Sequence, residues 1–170
     1  MGEQSINLAA FSRQKVAKPS QLEDRTFPYV LFRVDRQHYV LPLDHVIRAV
    51  RMVAFTLVPD TPDSVVGMIN MAGQMLPMID LRQLFGQKGK PPELQDFLLI
   101  VQNQGQMVAL IVDEVLNVVE FTPKQVEYPP AAVSQSRFLA AAVQQEDILI
   151  WVLDTSQLLP NNGEKIGLTQ

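Results

Sequence analysis

At 170 residues, with 47% hydrophobic and 19% charged residues, the chain has the size and apolar content of one domain or of two small lobes around a packed core. A net charge of −4 argues against a nucleic-acid partner, because phosphate binding needs a basic face that this chain as a whole does not supply. The absence of cysteine excludes disulfides, thiolate metal sites and a cysteine nucleophile. With no apolar run of membrane-spanning length and no signal-peptide layout at the start, a cytoplasmic location without direct membrane insertion is expected.

Residues 1–27 mix Gln, Ser, Lys, Arg and Pro without sustained periodicity and read as a disordered arm, in which Ile6, Leu8 and Phe11 alone hint at a docking turn. The run YVLFRV at 29–34 is aromatic and β-branched, a polar turn follows at 35–38, and 39–41 resume the apolar run, which predicts a first hairpin. At 45–52 the pattern is ambiguous: Val46, Ala49 and Val50 fit a helical face, whereas Val46, Arg48 and Val50 fit strand alternation. A turn-rich linker at 59–64 leads into 65–85, VVGMINMAGQMLPMIDLRQLF, which reads as a second hairpin turning at 72–74 and a short helix capped by Asp80. The run QKGKPP at 87–92 is the strongest loop signal and the natural boundary between lobes.

Beyond that boundary the pattern restarts. Residues 97–101, a turn at 103–106, and then 107–112 and 113–119 parallel the first hairpin and its continuation, with Asp44, Val46 and Val50 matching Asp113, Val115 and Val119 at a spacing of 69. Residues 138–159 repeat the second hairpin and helix, Asp80 and Leu84 matching Asp154 and Leu158 at a spacing of 74. An internal duplication is implied. Two lobes, about 28–90 and about 95–160, would each hold about five short strands, suited to a small closed barrel that hides its edges, and 161–170 would form a tail. Between the lobes, 121–130 reads as an extended crossover because of Pro123, Pro129 and Pro130.

Catalytic machinery is not legible. His38 and His45 are too separated in pattern to share a metal and read as surface residues, while Asp80, Asp113 and Asp154 stand where apolar strands give way to polar segments and read as caps. Arg48, Arg51 and Arg82 fit solvated strand and helix faces as readily as an anion site, and Trp151 alternates within a β run as a packing residue. No phosphate-cradling glycine loop, GxSxG elbow or HExxH is present, so neither an enzyme nor a cofactor site is expected.

The stretch VVGMINMAGQMLPMIDLRQLFG resembles the signature of the CheW-like domain, approximately GxxNLRGxxxPVxDLRxxFG, through Gly67, Asn70, Gly73, Pro77, Asp80, Leu81, Arg82, Phe85 and Gly86. The likeness extends to the opening strands at 29–50, to Asp60-Thr61-Pro62 before the signature, and to VALIVDEVLNVV at 108–119, so that it covers about 27–160. It implies a mainly β fold of two intertwined, pseudo-symmetric five-stranded SH3-like barrels with short helices, strands exchanged between lobes. It also implies a non-enzymatic adaptor that joins the regulatory domain of a CheA-type histidine kinase, itself of that fold, to the cytoplasmic tip of a chemoreceptor. The alternative within the family is a scaffold that pairs with other CheW-like domains and touches no receptor. Carried over from the family, the partner-binding positions are Val46, Arg48, Gly67, Asn70, Met71, Ala72, Gly73, Val108, Ala109 and Val118.

Two departures bear on partner choice. Ala72 stands where the signature has arginine, which removes a planar charged fork, and Arg48 stands where relatives often carry glutamate, which reverses a charge on an expected binding face. Tyr39-Val40 for Tyr-Gly, and Ala109 for Gly, are sterically tolerable changes. The expectation is a divergent adaptor of a kinase-receptor system other than flagellar chemotaxis, such as one governing pilus-based motility.

Overall fold

The structure, a computed structural model, describes residues 23–128 and 136–158. Most of the expected arm, the expected tail, and Pro129 and Pro130 lie outside the described residues. Among the described residues, eleven strands and two one-turn α-helices occur in the order β1 Phe27–Val34, β2 Gln37–Pro42, β3 Val46–Arg51, β4 Val65–Met71, β5 Gln74–Asp80, α1 Leu81–Leu84, β6 Phe97–Asn103, β7 Gln106–Val112, β8 Glu114–Phe121, β9 Val126–Glu127, β10 Leu139–Gln145, β11 Ile148–Leu153 and α2 Thr155–Leu158. The ambiguous segment at 45–52 is a strand, and its β-branched Val46, Ile47 and Val50 suit the pleat. Val46 and Val50, four residues apart, pack against different cores because the bulge at Ile47 moves the alternation by one residue, whereas a helix would put both on one face.

The predicted polar turns shorten on folding. Hairpins β1–β2, β4–β5, β6–β7 and β10–β11 pair up to Val34↔Gln37, Met71↔Gln74, Asn103↔Gln106 and Gln145↔Ile148, leaving two-residue loops. Polar residues such as His38 and Gln144 therefore belong to ladders, because a backbone pair forms whether or not its side chain faces water. Each loop opens on a positive φ, at Asp35, Ala72, Gln104 and Glu146.

The strands form two sheets, ordered β8-β1-β2-β11-β10-β9 and β3-β6-β7-β5-β4. Neither sheet is a contiguous half of the chain. The hairpin β1–β2 lies among late strands and β6–β7 lies among early ones, joined by the parallel pairs β2–β11 and β5–β7. After β3 the chain bends back so that Thr56 bridges Met68 of β4, and after β8 it does the same through Pro123–Gln125 so that β9 pairs with β10. Taking β8 and β9 as one bent strand, each sheet has five strands, and the crossover is a bend with a 3-10 turn instead of a uniformly extended segment.

The duplication holds at the level of single pairs. Tyr29↔Pro42 shifted by 69 gives the observed Leu98↔Ile111, and Val152↔Val40 maps through the two spacings onto the observed Met78↔Ala109. Even the bulges correspond: the β1–β8 register skips Leu116 and the β3–β6 register skips Ile47, residues that are 69 apart.

Packing explains why the exchange is stable. One core is shared by both sheets, with Phe32, Tyr39, Leu41 and Leu153 from one meeting Leu99, Val101, Leu110 and Val112 from the other. Each sheet also has its own core on its opposite face, around Leu98, Ile100 and Ile111 in one and Val40, Val143 and Val152 in the other. Strands β6 and β7 are thus buried on both faces, which is why they read as unbroken apolar runs. The rings of Phe32, Tyr39 and Phe85 stack at centroid distances of 5.9 and 5.7 Å, and Phe138 meets Phe85 edge-on at 6.0 Å, tying the signature's Phe85 to the β1–β2 hairpin and to the residue before β10.

Candidate partner-binding surface

The signature hairpin presents its turn to water. Ala72 and Gly73 both have positive φ, 51° and 87°, and the Asn70 side-chain oxygen accepts the Gly73 N–H at 2.9 Å, which holds the turn in shape. Asn70, Ala72 and Gly73 are exposed and Met71 is half-buried, so the four expected positions lie together and reachable.

Arg48 is also exposed, on β3 beside the bulge. Val118 is 53% exposed on β8. Strands β3 and β8 border their sheets at equivalent places, and each turns one valine, Val46 or Val115, onto the shared core. Their bulged residues leave apolar side chains in water, Ile47 at 47% exposure and Leu116 at 39%. Sequence reasoning missed Ile47 and Leu116, because periodicity assumes an unbroken alternation and a bulge inserts a residue that alternation cannot place.

Three expected positions are enclosed. Val108 and Ala109 are wholly enclosed by the cores of the second sheet, where β7 is covered on both faces, so neither side chain can meet a partner. Gly67 is buried for a different reason. A Cβ there would stand 2.7 Å from the Thr56 carbonyl oxygen and 2.9 Å from the Phe55 ring, so glycine permits the Thr56–Met68 bridge to form.

The charged residues also depart from their expected roles. Asp80 and Asp154 do cap, accepting the N–H groups of Arg82 and Ser156 at 3.0 Å each. Asp113 does not; it binds Arg82 at 2.6 Å and the Asp35 N–H at 2.6 Å. Arg82 is not solvated: it is 3% exposed, with its Nε 3.0 Å from the Asp35 carboxylate and its Nη1 3.4 Å from Asp80. The guanidinium fork thereby joins the β1–β2 turn, the start of α1 and the β7–β8 junction, elements from both halves of the chain. Burial would raise the Asp113 pKa, but the Asp35 N–H and the Arg82 charge outweigh it and hold the group below the ordinary carboxylate value. Arg51 lies over the Phe97 ring at 4.6 Å, and His45 Nδ1 is 2.9 Å from the hydroxyl of buried Thr155, so His45 is no free surface residue. Among the described residues no three potential ligands cluster as a metal site, and no helix is long and apolar enough to cross a membrane.

A model of the CheW-like domain matches residues 28–162. The chain belongs to the CheW-like domain family. Chemotaxis protein CheW of Helicobacter pylori is 26% identical over 153 residues, 88% of this chain and 93% of that protein. Chemotaxis protein CheA of Klebsiella aerogenes is 26% identical over 135 residues, 79% of this chain and 20% of that longer protein. The crystal structure of scaffolding protein TtCheW from Thermoanaerobacter tengcongensis is similar with a TM-score of 0.71 at 28% identity, over 76% of this chain and 90% of that one. The CheW signature here serves two ends: Gly67, Asp80 and Arg82 hold the fold, while Asn70 to Gly73 shape an exposed turn.

Proposed function

We propose that this chain is a non-enzymatic cytoplasmic adaptor that couples a CheA-type histidine kinase to chemoreceptor-type signalling proteins, in chemotaxis or in pilus-based motility. The observation that carries the reading is the pair of equivalent strands, β3 and β8, whose Ile47, Leu116 and Val118 are left in water beside the shared core. Apolar side chains left exposed on equivalent strands of a folded surface suit a place that a partner covers, and an amphipathic receptor helix has the complementary apolar stripe. The exposed signature turn with Asn70 and Ala72 forms the second contact, toward the kinase regulatory domain. Because Arg48 adds a positive charge beside Ile47, the receptor segment that fits is one with an acidic residue flanking its apolar stripe.

The test is Val118→Glu with retention of a receptor tip hairpin on the immobilised chain. A charge placed in a contact that excludes water weakens retention about tenfold, equivalent to about 1.4 kcal/mol. Unaltered urea denaturation confirms that the fold is intact, since the site is exposed. Undiminished retention removes β8 from the receptor surface. If the unsubstituted chain retains kinase regulatory domains or other CheW-like domains but no hairpin, the scaffold reading replaces the adaptor.

A further inference from the structure

The two lobes differ around the equivalent residues Asp113 and Asp44. In the linker before β6, Lys90 Nζ lies 3.6 Å from Asp113, 3.6 Å from Asp96 and 3.7 Å from Glu93. The place equivalent to Asp113 in the other half is Asp44, 69 residues earlier. Asp44 lies at the rim of a cavity of about 410 Å³ lined by Phe27, Pro28, Tyr29, Pro42 and His45. Shifted by 69, Pro28, Tyr29, Pro42 and Asp44 fall on Phe97, Leu98, Ile111 and Asp113, the last of which pairs with Lys90. Among the described residues no cation lies within ion-pair distance of Asp44.

The segment that precedes β1 carries the same approach as the one that precedes β6. Lys90-Pro91-Pro92-Glu93-Leu94-Gln95-Asp96 runs into Phe97, and Lys18-Pro19-Ser20-Gln21-Leu22-Glu23-Asp24 runs, after Arg25-Thr26-Phe27, into Pro28, the residue 69 before Phe97. Lysine, proline, leucine and aspartate recur in identical order and spacing. The extra Arg25-Thr26-Phe27 alters one role: Asp24 and Glu23 lie on Lys124, at 3.8 and 3.1 Å, whereas Asp96 is buried beside Lys90. That leaves Asp44 as the acceptor for an arriving lysine.

We propose that the Lys18-Pro19 segment of this chain occupies the cavity, with the Lys18 ammonium on the Asp44 carboxylate and Pro19 against Tyr29 and Pro42. Glu23 is anchored on Lys124, and the five residues back to Lys18 span up to about 17 Å, at roughly 3.4 Å each. The wall of aromatic and proline rings suits a proline, whose fixed φ limits the entropy lost on docking. The charges are complementary, and the Tyr29 hydroxyl, held above its usual pKa by burial, Tyr128 and Asp44, shows that the carboxylate acts on this wall. Docked in this way, the arm gives the first lobe the cationic clasp that Lys90 gives the second.

The full chain contains no cysteine, so Ser20→Cys, two residues beyond Lys18, provides a unique site for a nitroxide label and leaves the Lys18 ammonium in place. In isotope-labelled full-length protein, the amide signals of Tyr29, Leu43, Asp44 and His45 are expected to lose intensity, and Asp44→Asn is expected to restore most of it. Broadening elsewhere, or none, overturns the proposal. Broadening that arises only when unlabelled spin-carrying chains are mixed with isotope-labelled chains also overturns it, because the segment then belongs to a second copy. As a check free of the label, Lys18→Glu is expected to move the same four amides, and Lys18→Glu with Asp44→Lys to return them toward their original positions; no movement in either contradicts the ion pair.

Discussion

Arg82 follows the capping aspartate by two residues in a one-turn helix, a place where an arginine in sequence reads as solvated, and yet it is almost wholly enclosed. What encloses it comes from far away in the chain: Asp35 from the β1–β2 turn and Asp113 from the β7–β8 junction. No local pattern predicts such partners, which is why Asp113 read as a cap and Arg82 as a surface residue. The cap at Asp80, by contrast, was legible, because it depends only on the residues that follow it. Removing one partner from a buried ion pair costs about 3–5 kcal/mol, and Arg82→Met is expected near the low end, because Asp35 is half-exposed and can turn to water. Urea denaturation measures this; a loss below about 1 kcal/mol would reduce the cluster to an ordinary surface pair. The pH dependence follows the same geometry. Asp113 has a lowered pKa in the folded state, so its contribution is complete above the unfolded value of 3.8 and is lost as pH falls below it through the folded value. Asp113→Asn is expected to flatten stability across that acid range.

At the scale of elements, apolar runs placed the strands and missed their ends. The segment at 45–52 fitted two periods because a bulge at Ile47 breaks its alternation, and only pairing with β6 resolves it. The four hairpin loops are shorter than their polar stretches, since ladder bonds ignore side-chain polarity. The signature turn gives the element-scale prediction. Ala72 already bears the strain of a left-handed conformation, which costs a non-glycine residue about 1–2 kcal/mol, and its side chain faces water. Ala72→Arg keeps that strain and meets no neighbour, so the unfolding midpoint is expected to stay within the small range of a surface change while affinity for the kinase regulatory domain shifts. Misfolding of Ala72→Arg, or identical kinase affinity, would place the kinase contact elsewhere.

For the whole molecule, two spacings in the sequence disclosed a duplication that the pairing follows residue by residue, bulges included. What the spacings could not disclose is which copy of each hairpin joins which sheet, because exchanged and unexchanged lobes bury the same residues. The exchange fixes both lobes in one body through the shared core, with Arg82 as an ionic tie between early and late elements. A body so joined suits an adaptor: its two equivalent strands and its signature turn keep a set geometry, so two partners held at once are held in register. The most direct test is to immobilise the kinase regulatory domain and measure retention of a receptor tip hairpin with and without this chain. The adaptor reading predicts hairpin retained only when the chain is present, and reduced about tenfold with Val118→Glu while the chain itself stays bound. A chain that binds the kinase domain and leaves the hairpin in solution would contradict it.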